Sequence, residues 1–111
     1  MANKRELFKG GSESLLLCLL AQQPMYGYQL VKELEARSQG YFKFKEGTLY
    51  PALHRLEKAG LISGSWQMLP NGRHRRYYHV TDKGRVFMME DRSQWLDFMN
   101  AMSLIIEPAK A

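Results

Sequence analysis

Apolar residues fall along this chain in distinct rhythms. The run "LLLCLLA" from Leu15 to Ala21 is continuous. With Ser12 placed to cap it, "ESLLLCLLAQQ" is apolar almost all round, which predicts a helix buried on most sides. "KRELFK" could extend that helix backwards, with Gly10-Gly11 as a break, and Pro24 stops it. The next segment, "YGYQLVKELEARS", brings Tyr28, Leu30, Val31 and Leu34 near one helical face, with charges opposite and Gly40 as the stop. "YFKFK" alternates and predicts extended chain. "EGTLYPALHRLEKAGLI" then places Leu49, Leu53 and Leu56 on one face of a third helix, over roughly 47–59. Two strand-like runs follow, "LISGSWQML" and "RRYYHV". They flank "PNG", and Asn-Gly is a strong hairpin signal. Last, Thr81 caps a long helix with Asp82 in its first turn, from about 82 to 107 and ended by Pro108.

The order is three helices, a two-stranded hairpin and a long helix. This predicts a mainly α fold with a small β-hairpin: a winged helix-turn-helix domain over residues 1–81 and a C-terminal helix over 82–111. A lone hairpin is unstable and must pack on the helices. Trp66, Tyr77 and Tyr78 could supply that contact, and alternation puts Tyr77 and Tyr78 on opposite faces.

The third helix has a second surface. At 100° per residue, Gly47, Pro51, His54 and Lys58 point away from the leucines, with Tyr50 on one shoulder and Arg55, close to Thr48, on the other. Proline fits only where the helix has just begun, so the start lies around 46–49. Two readings suit this face. Its thin, N–H-rich tip and its donors could meet an anion such as phosphate. Or it is a solvated face whose proline marks the start.

Charge shifts the balance. The net charge is +5, but residues 1–85 carry fourteen Lys/Arg against seven Asp/Glu, and residues 86–111 only two against four. The hairpin segment "NGRHRRYYHVTDKGR" holds Arg73, Arg75, Arg76, Lys83 and Arg85 against Asp82 alone, with Asn71-Gly72 at the tip. A basic hairpin beside a basic helix suits DNA, the helix in the major groove and the hairpin on the backbone or minor groove. A solvated edge strand guarded by arginines is the plainer alternative.

Together, "MYGYQL", "GTLYPALHRLEKAGLI", "GRHRRYYHVTDKG" and the single long C-terminal helix resemble the PadR family of bacterial transcriptional regulators. The resemblance spans about residues 12–107, and the short tail is similar to the compact subfamily that includes multidrug-responsive repressors. It implies a homodimer joined through the C-terminal helix, bound to a pseudo-palindromic operator as a repressor and released by a ligand. It implies that Thr48, Tyr50, Pro51 and His54 lie on the recognition helix, and Tyr26 and Tyr28 near the DNA backbone. Gly72, Arg73, Arg75 and Arg76 fall in the wing. Arg55 and Lys58 extend the helical donor face. The chain departs from the family at His74 and His79, where proline and arginine are common.

The C-terminal helix carries a second apolar stripe. Trp95, Phe98, Met99, Met102, Ile105 and Ile106 step by three and four, and Met88, Arg92, Trp95, Met99, Met102 and Ile106 follow a coiled-coil spacing. A helix this long outruns a small domain, so a twofold dimer is expected, with a fold-back onto its own domain as the alternative. Its polar face is acidic, which disfavours a membrane surface. Trp95 is either a packing residue or, as the multidrug-responsive relatives imply, the wall of a cavity at the dimer interface that takes planar aromatic compounds. Met88, Met89 and Met99 would lie beside it.

An enzyme is not expected: no nucleophile elbow, P-loop or dinucleotide fingerprint is present. One cysteine and the scattered His54, His74 and His79 do not match metal-ligand spacing, and no cofactor is expected. The lone Cys18, the polar start "MANKRELFKGGSE" and the shortness of every apolar run lead to the expectation of a cytoplasmic protein without a membrane span. The competing function is a winged helix that docks onto an acidic protein partner.

Overall fold

A computed structural model describes residues 11–107. "KRELFK", Gly10 and Pro108 lie outside the described residues. The elements are α1 (Ser12–Gln22), β1 (Met25–Tyr26), α2 (Gly27–Arg37), α3 (Glu46–Lys58), β2 (Ile62–Met68), β3 (His74–Val80) and α4 (Asp82–Ile106).

The core follows the apolar rhythms. Leu16, Leu17, Leu19 and Leu20 of α1 are buried, as an all-round apolar helix requires. Leu30 and Leu34 of α2, and Leu49, Ala52, Leu53 and Leu56 of α3, close on them from the other sides. Phe44 is buried and Phe42 partly so, so "YFKFK" keeps its alternation without joining a sheet. Two expectations are corrected here. Ser12 does not cap α1; it is the first helical residue and is buried, and Gly11 stands at the cap. Tyr28 leaves the apolar face of α2 and is 61% exposed, because it sits at the helix start, next to the open side.

The hairpin gains a strand that the sequence pattern did not show. β1 pairs antiparallel with β3, Met25 opposite Tyr78 and Tyr26 opposite Tyr77, so the sheet order is β1-β3-β2. β2 and β3 run in register from Ile62–Val80 to Met68–His74. Their loop is a turn from Leu69 to Gly72, whose amide donates to the Leu69 carbonyl at 2.9 Å, followed by Gly72 at φ +84°. The left-handed glycine after such a turn is what a three-residue hairpin loop needs. Met25, Tyr78, Val80 and Ile62 seat the sheet on the helices. Trp66 does not: it is 64% exposed, since β2 beyond Gly64 runs past the end of the core.

The passage into α4 is tightly bonded. The Thr81 amide donates to the Leu61 carbonyl (3.0 Å), and its hydroxyl donates to the Gly60 carbonyl (2.7 Å) and accepts from the Gly84 amide (3.0 Å). Lys83 Nζ caps the end of α3 by donating to the Ala59 carbonyl (2.9 Å). Gly84 is buried, and a Cβ there would collide with the Leu61 carbonyl and lie 2.8 Å from Val80 Cγ2. This close approach explains why a glycine stands inside a helix. Beyond it α4 is largely uncovered: Gly84 is its one buried residue. None of the described helices is long and apolar enough to cross a membrane.

Candidate functional site

The outward face of α3 forms as its periodicity requires. Gly47, Thr48, Tyr50, Pro51, His54, Arg55 and Lys58 are all exposed while the leucines are buried. The helix starts at Glu46 with Lys45 at the cap and no side-chain hydrogen bond there. The Lys45 carbonyl accepts from the Thr48 and Leu49 amides (3.0 and 2.9 Å). The amides of Glu46 and Gly47 have no carbonyl within the helix to reach. Pro51 is the sixth helical residue, so it sits in the second turn rather than the first, and the Gly47 carbonyl loses its helical donor. That carbonyl lies on the exposed side, where water can replace the bond. A Cβ at Gly47 would meet nothing within 4 Å, so this chain's own packing does not demand the glycine.

The predicted basic residues take different positions. Arg73 is exposed beside the wing tip, its amide bound to Asn71 Oδ1 at 3.0 Å. The Arg75 guanidinium lies 3.9 Å from the centre of the Tyr26 ring, and Tyr26 meets Tyr77 edge-on at 5.4 Å. Arg55 turns towards α1 and pairs with Glu13. Arg76 turns inward: its Nη2 donates to Glu57 Oε2 of α3 at 2.7 Å. Lys58 and His54 are exposed on α3, and Gly72 is exposed at the wing tip.

A groove of about 570 Å³ joins these elements. Tyr26 and Tyr28 from the β1–α2 junction, Tyr50 from α3, and Trp66, Arg75 and Arg76 from the wing line it. Gly27 lets α3 approach, since a Cβ there would stand 2.9 Å from the Tyr50 hydroxyl. Trp66 is the member that the sequence reading left out. Its signal was a tryptophan in a strand beyond a glycine, where alternation alone could not separate core from surface. Aromatic rings and arginines on one exposed groove can stack on bases and sugars and can hydrogen-bond phosphates.

A second cavity of about 410 Å³ lies between α1, the segment after α2, and α4. Leu15, Cys18, Tyr41, Phe42, Arg92, Trp95, Leu96 and Met99 line it. Trp95 Nε1 donates to Ser14 Oγ at 2.9 Å, which fixes the ring across 81 residues of sequence. Phe98 stacks edge-on against Trp95 at 5.8 Å. The cavity expected from the resemblance lies at a dimer interface, whereas this one lies within a single chain; of the residues expected there, Trp95 and Met99 line it. Met88 packs on the core instead, and Met89 is 69% exposed, so neither reaches it. Register explains Met89, which points away from the face of Trp95 and Met99; Met88 shares that face but lies two turns back, where the core covers it. Burial pushes the Cys18 thiol up, with the Asp91 charge adding to the shift and Arg92 opposing it. Asp91 Oδ2 is itself buried without a hydrogen-bond partner.

The stripe on α4 stays open. Phe98, Met99, Met102, Ile105 and Ile106 are between 42% and 85% exposed. Met88 and Trp95, further back on the same helix, are already partly covered by their own domain. His54 and His74 are exposed and His79 half-buried. Among the described residues no three His, Cys, Asp or Glu side chains gather as a metal site.

Comparison with known proteins gives a consistent result. The model of the transcriptional regulator PadR-like family matches residues 16–90. The chain is 39% identical to transcriptional regulator Rv3488 of Mycobacterium tuberculosis over 88 residues, covering 79% of this chain and 78% of that protein. A crystal structure of a PadR-like transcriptional regulator from Bacillus cereus superposes with a TM-score of 0.80 at 31% identity, covering 93% and 98% of the two chains. A PadR family transcriptional regulator from Eggerthella lenta gives 0.77 at 33% identity, covering 94% and 88%.

Proposed function

The chain belongs to the PadR-like family of transcriptional regulators, and from that premise we propose that it is a homodimeric operator-binding repressor, released by a planar aromatic effector. The observation that carries the DNA reading is the groove where Tyr28 of α2, Tyr50 of α3, and Trp66 and Arg75 of the wing converge. It continues the exposed face of His54 and Lys58. In this reading α3 enters the major groove. Thr48, Tyr50, Pro51 and His54 face base edges, and Arg55 and Lys58 flank them. Tyr26, Tyr28, Gly72, Arg73 and Arg75 meet the backbone.

Dimerisation explains the open stripe of α4. A helix of 25 residues extends roughly 37 Å, further than its own domain covers. Met99, Met102, Ile105 and Ile106 would pack against their copies across a twofold axis, with Phe98 beside them. Two recognition helices then address two half-sites roughly 34–36 Å apart. The cavity falls within the usual range for small-molecule sites, and Trp95 offers an aromatic face in it. Met99 supplies an adaptable apolar wall. A compound wedged between α1 and α4 would shift the dimer helix against the domain it carries, and so the spacing of the half-sites.

Titration of the full-length protein onto the DNA upstream of its own gene, in excess random DNA and at several salt concentrations, tests this reading. Operator binding should survive the competitor and fall steeply with salt, by about 0.9 in slope per phosphate contact. Binding that competitor abolishes, together with tight binding to an acidic protein, would instead favour a docking module. Planar aromatic compounds should release the operator from the wild type and not from Trp95→Ala.

A further inference from the structure

We propose that Arg76 is a positioning residue, which locks the wing at a fixed angle to the recognition helix and binds no phosphate of its own. The proposal rests on the DNA-binding reading above and gives that site a specificity device. Three arginines follow one another closely in the wing sequence, and charge alone would treat them alike. The structure does not. Arg73 is exposed, and Arg75 lies on Tyr26 at the groove. The Arg76 side chain is 30% exposed, and its guanidinium meets Glu57 at 2.7 Å.

The slot that holds it is built from both strands of the wing and from α3. The guanidinium carbon lies 5.5 Å from the centre of the Trp66 ring and 5.6 Å from that of Tyr78. Trp66 is the cross-strand partner of Arg76, and Gly64 is the partner of Tyr78. A Cβ at Gly64 would stand 2.6 Å from the Arg76 Cζ and Nη2. The guanidinium therefore occupies the space where any other residue at position 64 would project. Glu57 closes the slot from α3.

This matters because the wing is tied to the helices near its base, by Arg76 to α3 and by Arg75 on Tyr26 to the start of α2. Ser65–Met68 and Pro70–His74 are exposed on both strands. The Arg76–Glu57 pair is a charge-assisted bond between the wing and the helix that would read bases. A guanidinium already neutralised by Glu57 holds no share of the charge that displaces counterions from DNA. Its loss should change how well the two elements fit one DNA geometry, and not how many phosphates are contacted.

Operator and random-DNA binding across a salt series, for the wild type, Arg76→Gln, Glu57→Gln, Gly64→Ala and Arg73→Ala, tests this. Arg73→Ala is the control for a phosphate contact and should lower the salt slope by about 0.9. Arg76→Gln should leave the slope at the wild-type value and reduce the operator-to-random affinity ratio roughly 5-fold or more. Glu57→Gln, and a variant that combines it with Arg76→Gln, should give the same ratio as Arg76→Gln alone. Gly64→Ala keeps every charge and displaces only the flexible end of Arg76, so it should also lower the ratio, and it carries the test if Arg76→Gln folds poorly. A slope lowered by about 0.9 in Arg76→Gln, with operator and random DNA weakened alike, would make Arg76 a phosphate ligand and overturn the proposal. An unchanged ratio in both Arg76→Gln and Gly64→Ala would overturn it too. A wild type with no operator preference would refute the DNA reading itself, and the positioning role with it.

Discussion

Gly84→Ala sets two effects of opposite sign against each other. In an open helix, alanine is favoured over glycine by about 0.5–1 kcal/mol. Here the new Cβ would stand 2.8 Å from Val80 Cγ2, 2.9 Å from the Leu61 carbonyl carbon, and closer still to its oxygen. Two of these atoms belong to the backbone and cannot rotate away, so α4 must back off from the β2 start. That movement stretches the Thr81 amide bond to Leu61 (3.0 Å) and the Thr81 hydroxyl bond to Gly60 (2.7 Å). Overpacking typically costs about 1–3 kcal/mol, and each lost bond about 1 kcal/mol. After the alanine gain is subtracted, the net loss is about 2–4 kcal/mol. For a domain of this size a loss of 1 kcal/mol lowers Tm by about 4–8 °C, so Gly84→Ala should melt at least about 8 °C lower. Calorimetry at one fixed protein concentration reads this directly, since any self-association makes Tm depend on concentration. Gly47→Ala is the matched control: nothing lies within 4 Å of its Cβ, and it should hold or raise the Tm. A Gly84→Ala protein that melts at or above the wild type would refute the close-packed joint.

Three further outcomes follow from the same structure. Thr81→Ala removes both the helix cap and the bond to Gly60, and urea unfolding should show a loss of about 1–2 kcal/mol that Thr81→Ser largely restores. Arg73→Ala should weaken operator and random DNA alike, whereas His54→Ala should change base preference at one position by about 1–3 kcal/mol; equal effects on both DNAs would remove His54 from base reading. Burial raises the Cys18 thiol and the Tyr78 phenol, so the folded chain keeps these protons to higher pH than the unfolded chain does. The stability they contribute is complete below the unfolded values, about 8.5 and 10, and is lost as pH rises through the folded ones. The urea midpoint should therefore fall above about pH 8.5, and Cys18→Ala should remove the earlier part of the fall.

The helices were legible because burial on a helix follows a period that the sequence displays. Leu49, Leu53 and Leu56 face inward, and Gly47, Pro51, His54 and Lys58 outward, as spacing alone dictates. The opposite faces of Tyr77 and Tyr78 were legible for the same reason: Tyr78 is buried, and Tyr77 is only half-covered. β1 was not, since two residues are too few to show an alternation, although Pro24 and Gly27 bracket it. Periodicity also fixes a face without naming its partner. Nothing in the local pattern around Arg76 points to Glu57, nor anything around Trp95 to Ser14, because those pairs depend on how separate elements come together. The cavity shows the same limit. Trp95 and Met99 share a face and line it, but Leu15, Cys18, Tyr41 and Phe42 reach it from distant parts of the chain.

The chain has two tryptophans, and they lie in different environments. Trp66 is open to water on the wing with a guanidinium above it, while Trp95 is half-buried and donates its indole N–H to Ser14. Ultraviolet light therefore finds one built-in lamp at each of the two surfaces. With Trp95→Phe the remaining emission reports on the groove between α2, α3 and the wing, and with Trp66→Phe on the cavity beside α4. The order in which a change reaches the groove and the cavity could then be followed in time, without attaching any label.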